Sequence, residues 1–301
     1  ADALAQVVVK VTGQRAGEVA ASLPALGDPA ALVQQYRNVA PDRLSVGFDA
    51  EALRRALDAA GLPVWGAERP ATLVWLAVDA GRGQRSILAA ADEALPTPDA
   101  GDDPAVAART LLLDAAAARG LPLVLPLSDA EDLQLVNFAD LWGDFTDPVL
   151  EASRRYRADA VLIGRARGSD PETAQVRWSL LIGDERIDWN GRVASGPDEA
   201  AELLAARLAA GPGTARAMLV AVDGIDSLAS YGNVTQYLSA LSNVDACEVV
   251  EVSGDRVLYN LRVRGDADQL MRVIALRRLL QPVDPVPGGA AADLYYSVIG
   301  G

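Results

Sequence analysis

The chain has 301 residues, of which 50% are hydrophobic and 23% charged, enough for two or three domains with cores of their own. Its net charge of -14 would repel nucleic acid or an anionic membrane surface, and no run of basic residues offsets it, so we predict no nucleic-acid partner. Histidine is absent, which excludes histidine-dependent catalysis and histidine-bound zinc. The single lysine, Lys10, follows no glycine-rich loop, which excludes a P-loop, and the single cysteine, Cys247, excludes an internal disulfide.

The opening stretch predicts a helix, because Leu4, Val7, Val8 and Val11 fall at helical spacing. Ala1 would then lie inside a helix whose beginning is absent, so we expect a preceding segment, removed either as an export signal or by trimming. No apolar run reaches the roughly 18 to 20 residues that a membrane span needs, so we predict no transmembrane segment.

Residues 1–68 are predicted to form an incomplete α/β unit. After the opening helix, an Asp-Pro pair is a start signal for a second helix over residues 28–39. Apolar residues alternate over residues 43–49, which predicts a half-buried strand. Asp49 then caps a helix that Gly61 ends.

Residues 69–211 are predicted to form a central α/β domain with the order βαβαβββα. Its first strand, ATLVWLAVD, is a continuous apolar run that suits burial on both faces. A polar loop over residues 96–103 follows, and Asp103-Pro104 starts the first helix. The other strands are predicted over residues 121–127, 159–168, 175–183 and 185–194. The other helices are predicted to start at a capping box from Ser128 to Glu131, at Thr146 and at Pro197.

Residues 215–301 show the order βαββαβ, which predicts a ferredoxin-like domain. We expect one antiparallel sheet of four strands with both helices on one face. Asp266 and Gln269 form a capping box, and a loop rich in proline and glycine over residues 282–289 precedes the last strand, ADLYYSVIG. The whole chain is therefore predicted to be an α/β (α+β) multi-domain protein.

Two tryptophans and an Arg-Pro pair lie close together at the junction of the first two blocks. Trp75 lies inside the apolar strand and is predicted to be a core residue. Arg69 is predicted to hold the strand entry by bonding a carboxylate or helix-end carbonyls, with recognition of a ligand as the alternative. Trp65 is expected to be the more exposed ring, packed between the first two blocks. Trp65, Arg69 and Trp142 are the candidate interaction or junction residues.

An acidic group follows the second strand of the central domain: Asp129, Glu131, Asp132, Asp140 and Asp144. Loops at the carboxyl ends of strands in open sheets bind ligands, and oxygen-rich loops hold Ca²⁺ or Mg²⁺. Asp129, Asp132 and Asp140 are therefore weak candidates for a metal site, and hydrolysis by paired carboxylates is a less favoured alternative. The favoured interpretation is structural, because acidic side chains at this place cap helices and suit the positive end of the helix dipole.

Short motifs in the first two blocks carry a family resemblance: QQY at 34–36, Leu62-Pro63-Val64-Trp65-Gly66, Arg69-Pro70 before Leu73-Val74-Trp75-Leu76, Asp140-Leu141-Trp142-Gly143, and Tyr156-Arg157-Ala158-Asp159 before VLIGR. With these motifs the chain resembles a bacterial family of unknown function, family 2066. Its members typically carry an export signal, which implies a periplasmic or envelope location and supplies no activity. The central block is also weakly similar to the amino-terminal domain of the Tol-system translocation protein and to lipoprotein activators of peptidoglycan synthases, which bind partner proteins.

The favoured functional hypothesis is a non-catalytic exported protein that acts in the cell envelope through contacts with a protein partner. The alternative is a module that binds a small molecule or a divalent metal, and a carboxylate-dependent hydrolase is least favoured. We expect no catalytic residue and no cofactor. A basic groove or a large apolar pocket would favour the small-molecule alternative.

Overall fold

The computed structural model describes residues 2–40, 43–90, 104–285 and 291–299. They form two compact units: unit 1 joins Ala1–Glu68 to Ala205–Gly301, and unit 2 is Arg69–Leu204. The predicted α/β multi-domain class is confirmed, since helices and three separate sheets occur along the chain. No helix within the described ranges is both long and apolar enough to cross a membrane.

The first segment of unit 1 contains α1 (Asp2–Thr12), α2 (Ala16–Ser22), β1 (Val33–Ala40), β2 (Arg43–Phe48) and α3 (Ala50–Ala59). The opening helix, the strand β2 and the helix α3 are confirmed, and the Asp49 carboxylate accepts a hydrogen bond from the Ala52 N–H at 2.7 Å as the predicted cap. Ala1 lies outside the described residues.

The helix predicted over residues 28–39 is wrong. Only a single 3₁₀ turn, Pro29–Leu32, follows the Asp28 cap. The chain then extends into β1, which pairs antiparallel with β2 so that Tyr36 lies opposite Val46. The start signal therefore operates for one turn, after which cross-strand pairing overrides local helix propensity.

Unit 2 contains β3 (Thr72–Gly81), β4 (Gln84–Ile87), α4 (Pro104–Arg119), β5 (Leu123–Val124), α5 (Ala130–Leu135), α6 (Phe138–Trp142), α7 (Thr146–Ser153), β6 (Ala160–Arg167), β7 (Gln175–Ile182), β8 (Glu185–Gly191) and α8 (Ser195–Leu208), whose last turn belongs to unit 1. The sheet has the order β4-β3-β6-β7-β8, with β5 beside the start of β3. β6 runs parallel to β3, and β7 and β8 continue antiparallel.

Most predicted strands of unit 2 are present, with three departures. β4 and α6 were not predicted, and the strand expected over residues 121–127 is only the two-residue β5. β4 was missed because Arg82 and Gly83, which both have positive φ, make the tight turn without the usual Asn-Gly or Asp-Gly pair. The predicted loop over residues 96–103, with its Asp103 cap, lies outside the described residues.

The second segment of unit 1 contains β9 (Arg216–Asp223), α9 (Leu228–Ala240), β10 (Val244–Ser253), β11 (Arg256–Val263), α10 (Ala267–Ala275), β12 (Leu280–Pro282) and β13 (Leu294–Val298). The predicted elements are all present, and the sheet order is β10-β11-β9-β13-β12. Of the predicted loop over residues 282–289, residues 286–289 lie outside the described part of the chain. The Tyr237 hydroxyl on α9 donates to the Ile274 carbonyl on α10 at 2.8 Å, so the two helices contact each other.

The expected antiparallel sheet of four strands is wrong in two linked respects, its strand count and the direction of its last strand. β12 is an additional edge strand, and β13 runs antiparallel to β12 and parallel to β9. The chain therefore reverses once more after α10 before it enters the sheet, and the result is a mixed sheet of five strands. The reversal depends on a three-residue strand that carries almost no local signal.

The two segments of unit 1 are joined by a buried guanidinium. Arg264, directly after β11, donates to the Asp58 carboxylate on α3 at 2.9 Å and lies 3.1 Å from the Asp245 carboxylate on β10. Arg54 on α3 also bonds Asp245, at 3.1 Å. The first and third predicted blocks thus pack together as one unit.

Candidate functional site

Arg69 holds the entry of β3 against the end of α4. Its Nη1 donates to the carbonyl oxygens of Arg119 and Gly120, each at 3.1 Å. These carbonyls are helix-end acceptors, which is one of the two structural roles that the sequence suggested for Arg69. Burial of the guanidinium lowers the pKa of Arg69.

Trp65 is not the exposed ring that the sequence suggested. Its side chain is only 1% exposed, and its backbone N–H donates to the Val11 carbonyl at 2.6 Å. The ring lies so close to Gly13 that a Cβ there would come within 3.1 Å of it. The expectation fails because the chain returns to α1 directly before Gly66, which buries Trp65 within unit 1.

Asp129 and Asp132 come together around Arg155. The Arg155 guanidinium donates to both Asp129 oxygens, at 2.7 and 3.0 Å, and to Asp132 Oδ1 at 3.2 Å. Asp132 Oδ2 accepts from the Ser128 N–H at 2.8 Å and the Tyr156 hydroxyl at 2.5 Å. Every carboxylate oxygen of the pair is therefore already hydrogen-bonded.

The electrostatics of this network follow from its hydrogen bonds. The Arg155 bonds lower the pKa of Asp129 to about 2, from an ordinary 3.8. Burial, together with the bond to Asp132, raises the pKa of Tyr156 to about 12. The helix cap is Asp129, which accepts from the Asp132 N–H at 3.1 Å, so the capping box predicted at Ser128 and Glu131 is displaced by one residue.

Asp140 has a separate partner, the Asn137 N–H, at 2.9 Å, in the capping box of α6. Within the described ranges, no three acidic or cysteine side chains form a group that could hold a metal ion. The structure thus divides the three metal candidates between two helix caps.

Trp142 ends α6 at the edge of a polar cleft. Its ring stacks on Phe138 with centroids 5.1 Å apart, and the Arg167 guanidinium lies 5.3 Å from the centroid of the Trp142 ring. We name the cleft the arginine cleft; it has a volume of about 360 Å³. Its polar and aromatic lining residues are Trp142, Arg165, Arg167, Gln175, Arg177 and Asn190.

Strand alternation places the arginines on one face of the sheet. Along β6, Ile163 packs in the apolar cluster beneath α5–α7, and Arg165 and Arg167 continue that face. Arg177 on β7 lies directly opposite Arg165, and Gln175 lies opposite Arg167. The helices therefore cover the apolar half of this face and leave the arginine half to the cleft.

Arg165 is buried and only partly compensated. It is 5% exposed; its Nε donates to the Leu141 carbonyl at 2.8 Å, and its Nη2 bonds Asp144. Its Nη1 is buried and meets no acceptor among the described residues. Burial lowers the pKa of Arg165, and the nearby Arg186 and Arg177 act in the same direction.

A second candidate surface lies on the β1–β2 hairpin in unit 1. Tyr36, Leu44, Val46 and Phe48 share one face of this two-stranded sheet and, with Val33 at its base, form what we name the hairpin face. Tyr36 is 62% exposed and Leu44 is 56% exposed. The hairpin face opens into a groove of about 710 Å³.

Sequence reasoning missed both surfaces for identifiable reasons. The arginine cleft depends on an Arg-x-Arg alternation at Arg165 and Arg167, which shares a face with Arg177 only once β6 and β7 pair. The alternation was available as a signal that one strand face is cationic. The hairpin face could not be found while β1 was taken for a helix.

Comparison with known protein families matches residues 1–66 to a family described as Domain of unknown function (DUF8605). The match covers the segment that carries the hairpin face. It does not confirm the resemblance to family 2066, or those to the Tol translocation protein and the lipoprotein activators. No curated protein and no solved structure matches the chain.

Proposed function

We propose that this is a non-catalytic protein of the bacterial cell envelope that binds a protein partner through the hairpin face. The observation that carries the proposal is the exposure of Tyr36 and Leu44 on an apolar sheet face that borders an open groove. Contiguous exposed apolar surface on a globular domain is typical of a protein interaction site.

The weakness of a two-stranded sheet supports this role. An isolated hairpin is marginally stable in water and gains stability when its apolar face is packed. Here Val33 and Phe48, at the base, are half-buried, whereas Tyr36 and Leu44 extend into solvent. A partner that covers these two side chains would bury apolar area at roughly 25 cal/mol per Å².

The charges beside the groove indicate the chemistry of the partner. Asp2 and Asp28 line its edge, and the chain as a whole carries a net charge of -14. A partner segment with apolar side chains flanked by lysine or arginine would therefore complement both the face and its rim.

The non-catalytic and envelope parts of the proposal rest on the sequence. Histidine is absent and the chain has one lysine and one cysteine, so the commonest general base and the histidine-dependent nucleophile pairs are missing. The envelope location is proposed only on the resemblance of the sequence motifs to a family of exported proteins. Fractionation of the native host is its direct test: we expect the protein in the periplasmic or membrane fraction, and recovery with cytoplasmic markers would contradict the proposed location.

Site-specific crosslinking tests the hairpin face. We expect a photo-reactive amino acid at position 36 to give one discrete adduct in native cells, and Leu44→Asp to abolish it. The purified partner should then bind Leu44→Asp at least about tenfold more weakly, because a carboxylate replaces apolar contact area. Thermal unfolding of Leu44→Asp should match that of the wild type, because Leu44 is mostly exposed.

Leu228 provides the matched control, since it is an exposed leucine, 85% exposed, at the start of α9. A photo-reactive residue at position 228 should give no adduct with the same partner, and Leu228→Asp should leave partner binding unchanged. Equal crosslinking from positions 36 and 228, or an adduct that survives Leu44→Asp, would show that the hairpin face is not the contact surface.

A further inference from the structure

The arginine cleft of unit 2 carries more positive charge than its carboxylates neutralise. Arg186 lies beside the three lining arginines, which gives four guanidiniums, and in the described part of the chain only Asp144 and Asp188 pair with this group. Four positive charges against two negative charges leave an excess of two. Arg167 and Arg177 themselves bond no carboxylate among the described residues. This excess stands out in a chain whose net charge is -14.

The arrangement is costly without a bound anion. Arg165 and Arg177 face each other directly across β6 and β7, and like charges in that position destabilise a sheet. Arg165 is also buried with its Nη1 lacking an acceptor among the residues described, which leaves a strong donor unsatisfied. An anionic ligand in the cleft would relieve both costs.

The spacing of the donors sets the size of the ligand. Side chains two residues apart on a strand, such as Arg165 and Arg167, are separated by roughly 6.6 Å at their backbones, and paired side chains on neighbouring strands by roughly 5 Å. Arginines spread over this distance can bind two linked anionic groups at once. The volume of about 360 Å³ accommodates a small molecule with two linked anionic groups.

We propose that the arginine cleft binds a small molecule through a diphosphate group. The cleft presents many donors and few acceptors, since only the side-chain amides of Gln175 and Asn190 add carbonyl oxygens to the guanidiniums and the indole N–H. A diphosphate is rich in acceptors and doubly charged or more, which matches this imbalance and the excess of two charges. Planar guanidinium forks bind phosphate oxygens in pairs.

Each lining residue has a defined part in this binding. Arg167 and Arg177 bind one phosphate group each, and the Trp142 ring holds the Arg167 guanidinium in position through its π face. Gln175 and Asn190 donate their amide N–H groups to the remaining oxygens. Arg165 supplies positive charge at the base of the cleft.

Calorimetric titration with inorganic pyrophosphate, at an ionic strength held constant with sodium chloride, tests the proposal. We expect saturable binding of one pyrophosphate per chain. Arg177→Gln and Arg167→Gln should each weaken it about tenfold or more, because each removes a charge-assisted pair of hydrogen bonds. Orthophosphate and succinate should bind at least about tenfold more weakly than pyrophosphate.

Arg262→Gln is the matched control, because Arg262 is an exposed strand arginine on β11 of unit 1. It should change the affinity for pyrophosphate less than about twofold, and none of the three variants should unfold at a lower temperature than the wild type. Absence of saturable pyrophosphate binding, equal weakening by Arg262→Gln and Arg177→Gln, or equally tight binding of succinate would each overturn the proposal. Because the cleft lies in unit 2, this result is independent of the crosslinking test on the hairpin face.

Discussion

Trp75 is the residue on which the core of unit 2 depends most visibly. It is 1% exposed, its indole N–H donates to the Ser153 hydroxyl at 3.0 Å, and the Tyr156 ring meets it edge-on with centroids 6.5 Å apart. Trp75→Ala should therefore lower the free energy of unfolding by about 3 to 5 kcal/mol, through lost burial and a cavity. Urea denaturation measures this loss, and a value below about 1 kcal/mol would mean that the indole contributes little to the core.

Asp129 should make the acid stability of unit 2 depend on Arg155. The folded-state pKa of Asp129 is about 2, below its ordinary 3.8, so the stability it contributes is fully present above the ordinary value and is lost as the pH falls through the folded value. Wild type should exceed Asp129→Asn in stability at about pH 6, and the two should converge towards about pH 2.

A double-mutant comparison isolates the cause of this pH dependence. In an Arg155→Gln background, the effect of Asp129→Asn on stability should depend less on pH, because the guanidinium that contributes most to lowering the pKa of the Asp129 carboxyl is gone and only the backbone N–H bonds remain. Denaturation at matched ionic strength across this range provides the measurement. If wild type and Asp129→Asn instead differ by a constant amount down to about pH 2, Arg155 does not stabilise the Asp129 carboxylate.

At the scale of elements, the sequence predicts what is encoded locally. The caps at Asp49 and Asp266 and the alternating strands β7 and β11 are specified by neighbouring residues, and the structure contains them. β1 depends on pairing with β2, and the direction of β13 depends on pairing with β9 and β12, so no pattern within either element distinguishes the observed arrangement from the predicted one. Tertiary pairing determines these two elements.

The candidate sites also divide into features that neighbouring residues encode and features that depend on strand pairing. Helix capping by the acidic residues follows from their spacing, although the cap moves from Ser128 to Asp129 because Ser128 adopts a positive φ of 51°. The arginine cleft requires β6 and β7 to pair in register, which places Arg165 and Arg177 opposite each other. Net charge conceals such a site, because a local excess of two positive charges is small beside 41 acidic residues.

At the scale of the molecule, unit 2 is continuous in sequence and unit 1 is not. Unit 2 contains its own apolar cluster, and Arg69 and Arg119 make bonds within it, to helix-end carbonyls and to Asp198. In unit 1, the buried Arg264 bonds Asp58 across the two segments, and Val64 exchanges backbone hydrogen bonds with Ala210. Separating the segments would remove Asp58 as a partner of Arg264 and break both backbone hydrogen bonds between Val64 and Ala210.

This difference predicts how fragments of the chain behave. Residues 69–211, produced alone, should unfold in one cooperative transition with urea and show the near-ultraviolet circular dichroism of packed tryptophans, because the core around Trp75 is complete within them. Residues 1–68 alone should show neither signal, because a fragment of this size buries little surface and has lost Arg264 and Ala210 as partners.

Adding residues 205–301 in trans should restore structure to the fragment of residues 1–68. A gradual, non-cooperative transition for residues 69–211, or cooperative folding of residues 1–68 by themselves, would show that the division of the chain into these two units does not describe its folding.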